Sequence, residues 1–130
     1  EERAVPEAGP MPAPGERDFG PWRILCQEEA YTGQPQGPFE FWLDGSGSIE
    51  LRTRQVGDRL TLMGRPGKTV KKWMIDLKIP RIQRDTLPVF QMDGQVAAVA
   101  GVGPDQRSLP RRGEQAWHIT VFPLLRDRKE

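Results

Sequence analysis

Residues 87–103 read LPVFQMDGQVAAVAGVG. Two apolar runs, 87–92 and 95–100, flank Asp93-Gly94. A two-residue turn between strands needs positive φ at both central positions, and Asp-Gly supplies that at the least steric cost. The stretch therefore reads as a buried β-hairpin, and Gly101-Val102-Gly103-Pro104 ends its second strand. The period is two around this hairpin as well. Downstream, Trp117, Ile119 and Val121 alternate with His118 and Thr120 in a last strand, after a polar loop over 104–115. Upstream, Trp22, Ile24 and Cys26 form one alternating set, and Phe39, Phe41 and Leu43 another. After Gly45-Ser46-Gly47 comes a third set, Ile49, Leu51 and Thr53, expected to close a hairpin with the second. In that register Arg52 and Arg54 share the wet face, as does Trp42.

One segment breaks the pattern. Val56-Gly57-Asp58-Arg59 reads as a turn, Leu60 and Leu62 return to the core, and Gly64-Arg65-Pro66-Gly67 cannot continue a strand. Val70, Trp73, Met74 and Leu77 then fall at i, i+3, i+4 and i+7, the apolar stripe of a helix of about three turns. Pro80 is the expected stop. Lys72 and Asp76 are placed to pair at i,i+4. Lys68 lies near the helix start, where the helix dipole disfavours a cation, which hints at a task other than stability. Residues 81–84 fit one further short turn. The fold class expected is α+β: mostly antiparallel strands in a β-sandwich-like unit with one main amphipathic helix.

Residues 1–20, EERAVPEAGPMPAPGERDFG, carry prolines at 6, 10, 12 and 14. They are expected to form a flexible linker, partly polyproline, to an upstream domain. The folded domain is expected over 21–125, with a frayed tail over 126–130. No apolar run approaches the roughly 18 residues of a membrane span. The lone Cys26 can neither close an internal disulfide nor build a metal site, so a reducing cytoplasm is the default.

Catalytic patterns are missing. His118 is the only histidine and falls on the polar face of its strand, as a surface or structural residue. Ser46, Ser48 and Ser108 have no nucleophile-elbow context. There is no phosphate-binding glycine loop, and Gly101-x-Gly103 reads as a turn. Asp58 and Asp85 fit capping or ion pairs. Trp73 and Trp117 fall on apolar stripes, so among the tryptophans Trp42 is the candidate to stack on a base.

Charge remains. The net charge of +1 conceals −7 over residues 1–51, +8 over 52–84 and 0 over 85–130. The middle segment holds Arg52, Arg54, Arg59, Arg65, Lys68, Lys71, Lys72, Lys78, Arg81 and Arg84. Such a cluster grips phosphates by charge and by guanidinium geometry. Aromatic residues are not interleaved with it, which favours a duplex read by shape and backbone over a single strand. Two other readings stay open: an interaction or dimerisation module with a solvated basic face, and a general duplex nucleic-acid binder.

Five separated elements narrow the choice. Gly57-Asp58-Arg59, Gly67-Lys68-x-x-Lys71-Lys72, Leu77-x-Ile79-Pro80, Arg84-Asp85-x-x-Pro88 and Gly101 closely resemble, in order and spacing, the C-terminal domain of bacterial tRNA(Ile) lysidine synthetases. The resemblance implies a fold like that of a domain in the phenylalanyl-tRNA synthetase β subunit. It implies a non-catalytic role, holding an isoleucine tRNA chiefly at its acceptor stem. In that family an upstream domain with an SGGxDS-type loop uses ATP and Mg to convert the wobble cytidine to lysidine. That loop does not occur here, so no cofactor is expected in this chain. The partners implied are the tRNA, the upstream catalytic domain and a second copy of the parent. By position, Lys68, Lys71, Lys72 and Arg84 are implied to face the tRNA, while Asp85 and Pro88 look structural. Lys78 stands where relatives often have a small residue.

Overall fold

The computed structural model describes residues 5–124, so the tail expected over 126–130 lies outside the described residues. The strands are β1 (Gly9–Met11), β2 (Gly15–Phe19), β3 (Trp22–Ala30), β4 (Glu40–Asp44), β5 (Ile49–Arg52), β6 (Arg59–Leu60), β7 (Lys68–Thr69), β8 (Val89–Met92), β9 (Gln95–Val99), β10 (Gly103–Pro104) and β11 (Gln115–Pro123). The helices are α1 (Val70–Asp76) and α2 (Arg81–Arg84). One sheet runs β1-β5-β8-β9-β10 and a second β2-β3-β11-β4, while β6 and β7 pair alone. Every pairing is antiparallel.

The inward rows of the two larger sheets make one core. Ile24, Cys26, Phe41, Leu43 and Ile119 belong to the second sheet; Ile49, Leu51, Val89 and Phe90 belong to the first. Phe41 meets Phe90 edge to face, with ring centroids 5.4 Å apart. This is the expected α+β sandwich. The β8–β9 hairpin forms as read, with Asp93 at φ 52° and Gly94 at φ 74°. Gly101 also has positive φ, and a Cβ there would meet Ile79 Cδ1 and Leu87 Cδ1 at 3.2 Å, so the turn packs directly on the core.

Four expectations fail. Residues 9–19 are not linker. β1 pairs with β5 and β2 with β3, and Met11 and Phe19 are buried. Of the prolines in this segment only Pro10 lies in a strand, and β1 is a sheet edge, where proline is tolerated; Pro12 and Pro14 fall between β1 and β2. Second, β4 and β5 do not pair with each other. β4 joins β11 and β5 joins β1 and β8, so Gly45-Ser46-Gly47 carries the chain from one sheet to the other. Alternation gives the buried face of each strand but not its neighbour.

Third, residues 104–115 are not all open polar loop: Pro104 ends β10, Gln106–Ser108 forms a 3-10 turn, and Asp105 between them is 1% exposed. Burial works against its charge. Bonds from Arg107, through side chain and backbone, and from the Thr61 N–H outweigh that and hold its carboxyl below the usual range.

Fourth, α1 is shorter than its apolar stripe. Thr69 caps the start by accepting from the Lys72 N–H at 3.1 Å. The end comes before Pro80: Lys78 N–H donates to Ile75 O and Ile79 N–H to Met74 O, both at 3.0 Å. These two bonds make a Schellman cap, with Lys78 at φ 58° in the left-handed position that glycine fills most easily. The chain therefore turns at Leu77, which is left 44% exposed, and Ile79 takes the buried place.

Trp73 is fully buried, and its Nε1–H donates to the Leu60 carbonyl at 2.7 Å. Trp73→Ala is expected to cost about 3–5 kcal/mol in urea unfolding. Trp73→Phe, which leaves that carbonyl without its donor, should cost about 1–3 kcal/mol. Deleting residues 1–14 removes β1 and is expected to lower the melting temperature by roughly 10 °C or more. An unchanged melt would restore the linker reading.

Candidate nucleic-acid interface

All ten candidate cations leave the sandwich with one excursion, from the end of β5 through β6, β7, α1 and α2 to the start of β8. The structure sorts them by what already holds them.

Arg52 is spent on the fold. Its side chain is 14% exposed and grips Asp58 through two nitrogens, at 2.8 and 3.0 Å, while Nε donates to Gln91 at 2.8 Å. The Asp58 carboxylate also accepts from the Gln55 N–H at 2.7 Å, so this fork fixes the turn before β6. Arg52 and Arg54 thus do not share an open cationic face. Arg54 donates through Nε to Asp85 at 3.1 Å. Arg84, implied to face tRNA, turns its Nε to the Ile79 carbonyl at 2.9 Å.

A second group surrounds Trp73 and Asp76. Lys68 Nζ lies 4.4 Å from the Trp73 ring centroid and 2.6 Å from Asp76, and the Arg65 guanidinium lies 5.2 Å from the same ring. The expected Lys72–Asp76 pair is present at 3.3 Å. Hydrogen bonds from Lys68 and then Lys72 lower the Asp76 pKa. Lys68 at the helix start is thus offset locally, by an aromatic face and a carboxylate.

Arg59, Lys71, Lys78 and Arg81 are exposed and make no side-chain hydrogen bond or ion pair among the described residues. Lys71 and Arg54 line an open groove of roughly 450 Å³, together with Gln55, Val56, Gly57, Asp58, Thr69 and Asp85. Val56 crowns the turn at its rim, fully exposed.

Trp42 does not qualify as a stacking platform. It is 6% exposed and lies against His118, with ring centroids 4.1 Å apart and planes 6° apart. Its Nε1–H donates to Glu29 at 3.0 Å, and His118 sits between Glu29 at 3.1 Å and Glu40 at 2.7 Å. Alternation missed this because the outer face of β4 is covered by neighbouring side chains. Trp117 is only partly buried, and its Nε1 has no hydrogen-bond partner among the described residues. Burial pushes the Cys26 thiol up to about 12, far from a reactive thiolate.

Comparison with known proteins identifies the family. The family model described as "TilS substrate C-terminal domain" matches residues 49–121, from β5 into β11. A tRNA(Ile)-lysidine synthase of Symbiobacterium thermophilum is 40% identical over 87 residues, covering 63% of this chain and 18% of the relative. That of Geobacillus kaustophilus is 37% identical over 79 residues, covering 59% and 17%. The chain thus matches less than a fifth of the length of these relatives. A solved structure, "Crystal structure of TILS C-terminal domain", superposes with a TM-score of 0.78 at 25% identity, covering 92% of this chain and 98% of that one. With the family match spanning the basic excursion and the fold shared almost end to end, the chain belongs to the TilS substrate C-terminal domain family.

Proposed function

We propose that this domain holds an isoleucine tRNA by its acceptor stem for a catalytic domain carried elsewhere in a longer tRNA(Ile)-lysidine synthase. The observation that carries the reading is the set of cations with no partner among the described residues, Arg59, Lys71, Lys78 and Arg81, within the family-matched segment and, for Lys71, at an open groove. A cation without a carboxylate is available to replace a phosphate counterion; Arg52, locked on Asp58, is not. The parent ligase supplies the ATP and Mg chemistry, and the domain supplies position. Cys26 is buried, and His118 is enclosed by Glu29, Glu40 and Trp42, which suits a binding role. The site of action is the cytoplasm. No described helix is long and apolar enough to cross a membrane.

The test is the salt dependence of tRNA binding. Lys71→Ala with Arg81→Ala should weaken binding and flatten the slope of log affinity against log salt by between about 0.7 and 0.9 per lost contact. The melting temperature should hardly change. Arg23→Ala with Arg111→Ala, outside the basic excursion, should alter the slope much less. Equal effects from both pairs would mean diffuse attraction without a site.

Lys78→Gly separates function from stability in one substitution. Relief of the left-handed lysine should stabilise the fold by about 1 kcal/mol. Loss of the cation should weaken tRNA binding. A variant that gains stability and binds tRNA unchanged would remove Lys78 from the interface.

A further inference from the structure

The groove beside Lys71 contains an acid that the fold uses through one oxygen only. Asp58 spends both carboxylate oxygens on Arg52 and Gln55. Asp76 is shared by Lys68 and Lys72, and the carboxylate of Asp105 is buried under three hydrogen bonds. Asp85 differs. Its side chain is 80% exposed, and its one contact among the described residues is Arg54 Nε on Oδ1 at 3.1 Å. It follows α2 as the C-cap residue, yet only its backbone N–H takes part, donating to Gln83 O. Its carboxylate bonds no backbone group, so the structural role suggested by its place in the motif rests on the single ion pair with Arg54.

A carboxylate in a phosphate-binding groove repels the ligand's backbone. It is useful only where the ligand offers hydrogen-bond donors, because an ionised carboxylate can only accept. An A-form RNA duplex has such a surface. Its shallow groove displays ribose 2′-hydroxyls, and guanine adds a 2-amino group there. Arg54 fixes one oxygen of Asp85 and leaves the other open, while Lys71 lines the same groove for a flanking phosphate.

We propose that Asp85 is a specificity-determining residue that accepts hydrogen bonds from the shallow-groove donors of an A-form RNA duplex, so that this groove distinguishes RNA by its donors and not by charge alone. The inference rests on the RNA-holding reading above. It assigns Asp85 a role opposite in sign to that of its neighbours: Lys71 attracts any duplex, and Asp85 rejects one without donors in register.

The chain is titrated by fluorescence anisotropy against three labelled hairpins of one sequence: unmodified RNA, the same stem with 2′-fluoro riboses, and the same stem with inosine for guanosine. The 2′-fluoro stem keeps the A-form but loses the hydroxyl donors; the inosine stem loses the 2-amino donors. The unaltered chain is expected to bind at least one modified stem about tenfold more weakly than RNA, as loss of a charge-assisted hydrogen bond implies. The stem that suffers identifies the donor. Asp85→Ala should weaken RNA by about the same factor and bind the affected stem no worse, so that the preference vanishes. Asp85→Asn, which keeps an acceptor oxygen, should retain much of it.

If Asp85→Ala tightens binding to all three stems by one factor, Asp85 merely repels phosphate and the proposal is overturned. Equal binding of all three stems by the unaltered chain also overturns it, and leaves the RNA-holding reading intact. Failure of the unaltered chain to bind RNA at all overturns that reading, and this inference with it.

Discussion

The hydrogen bond from the Trp73 indole to the Leu60 carbonyl is the interaction on which the placement of the basic excursion depends. β6 and β7 have two residues each and α1 has seven, too few to be stable as an isolated sheet or helix. What fixes them is a ring with no exposed surface whose only polar atom is satisfied by β6. The same strand region is tied again one residue on, where Thr61 N–H donates to the buried Asp105 carboxylate and Thr61 O accepts from Gln106. The turn ahead of β6 is held by the Arg52–Asp58 fork, and the Asp58 carbonyl accepts the first amide of α1 at 2.8 Å. Remove the indole and Leu60 is left with an unpaired carbonyl in the core, while α1 loses the side chain that seats it.

The excursion's anchoring explains which basic residues could serve a ligand. The excursion seats Leu60, Val70, Trp73, Met74 and Ile79 in the core, and the polar contacts that complete its anchoring consume cations. Arg52, Arg84 and Lys68 are each committed, to a carboxylate fork, a helix-end carbonyl and an aromatic face with Asp76. Charge counting treats them as equal to Lys71 and Arg81. Electrostatically they are not: an arginine closed on an aspartate at 2.8 Å presents a dipole to an incoming phosphate, whereas a lysine alone presents a full charge.

The legible parts of the sequence were those fixed by local geometry. Asp93-Gly94 named its turn because both residues take positive φ, and the alternating residues of β3, β5 and β11 named their buried faces. The i,i+4 pairing of Lys72 with Asp76 followed from helix geometry alone. What the sequence concealed depends on partners distant along the chain. The proline-rich segment looks like linker until β5 and β3 supply edges for β1 and β2, the strands on either side of Pro12 and Pro14, to pair with. Phe41 and Leu43 announce a strand but not that its neighbour is β11, more than 70 residues away. Trp42 looks wet until His118 and Glu29 arrive from two other strands. Lys78 looked like one more cation until the Schellman bonds showed that it occupies a glycine position.

Charge segregation along the chain becomes segregation by structural element. The acidic N-terminal part contributes exposed Glu16, Asp18, Glu28, Glu40 and Asp44 to β2, β3 and β4, all strands of the second sheet. Ten of the 19 basic residues fall in the excursion between β5 and β8, strands of the first sheet. A polyanion approaching such a molecule is repelled from the second sheet and drawn toward the excursion, so the field orients the encounter before any contact forms. Because the Debye length is about 8 Å at physiological salt, this guidance acts only over the last nanometre. Once that close, the ligand meets cations that differ in availability and, at Asp85, a carboxylate. In the function proposed above, attraction brings a duplex in and the groove's mixed charges decide whether it stays.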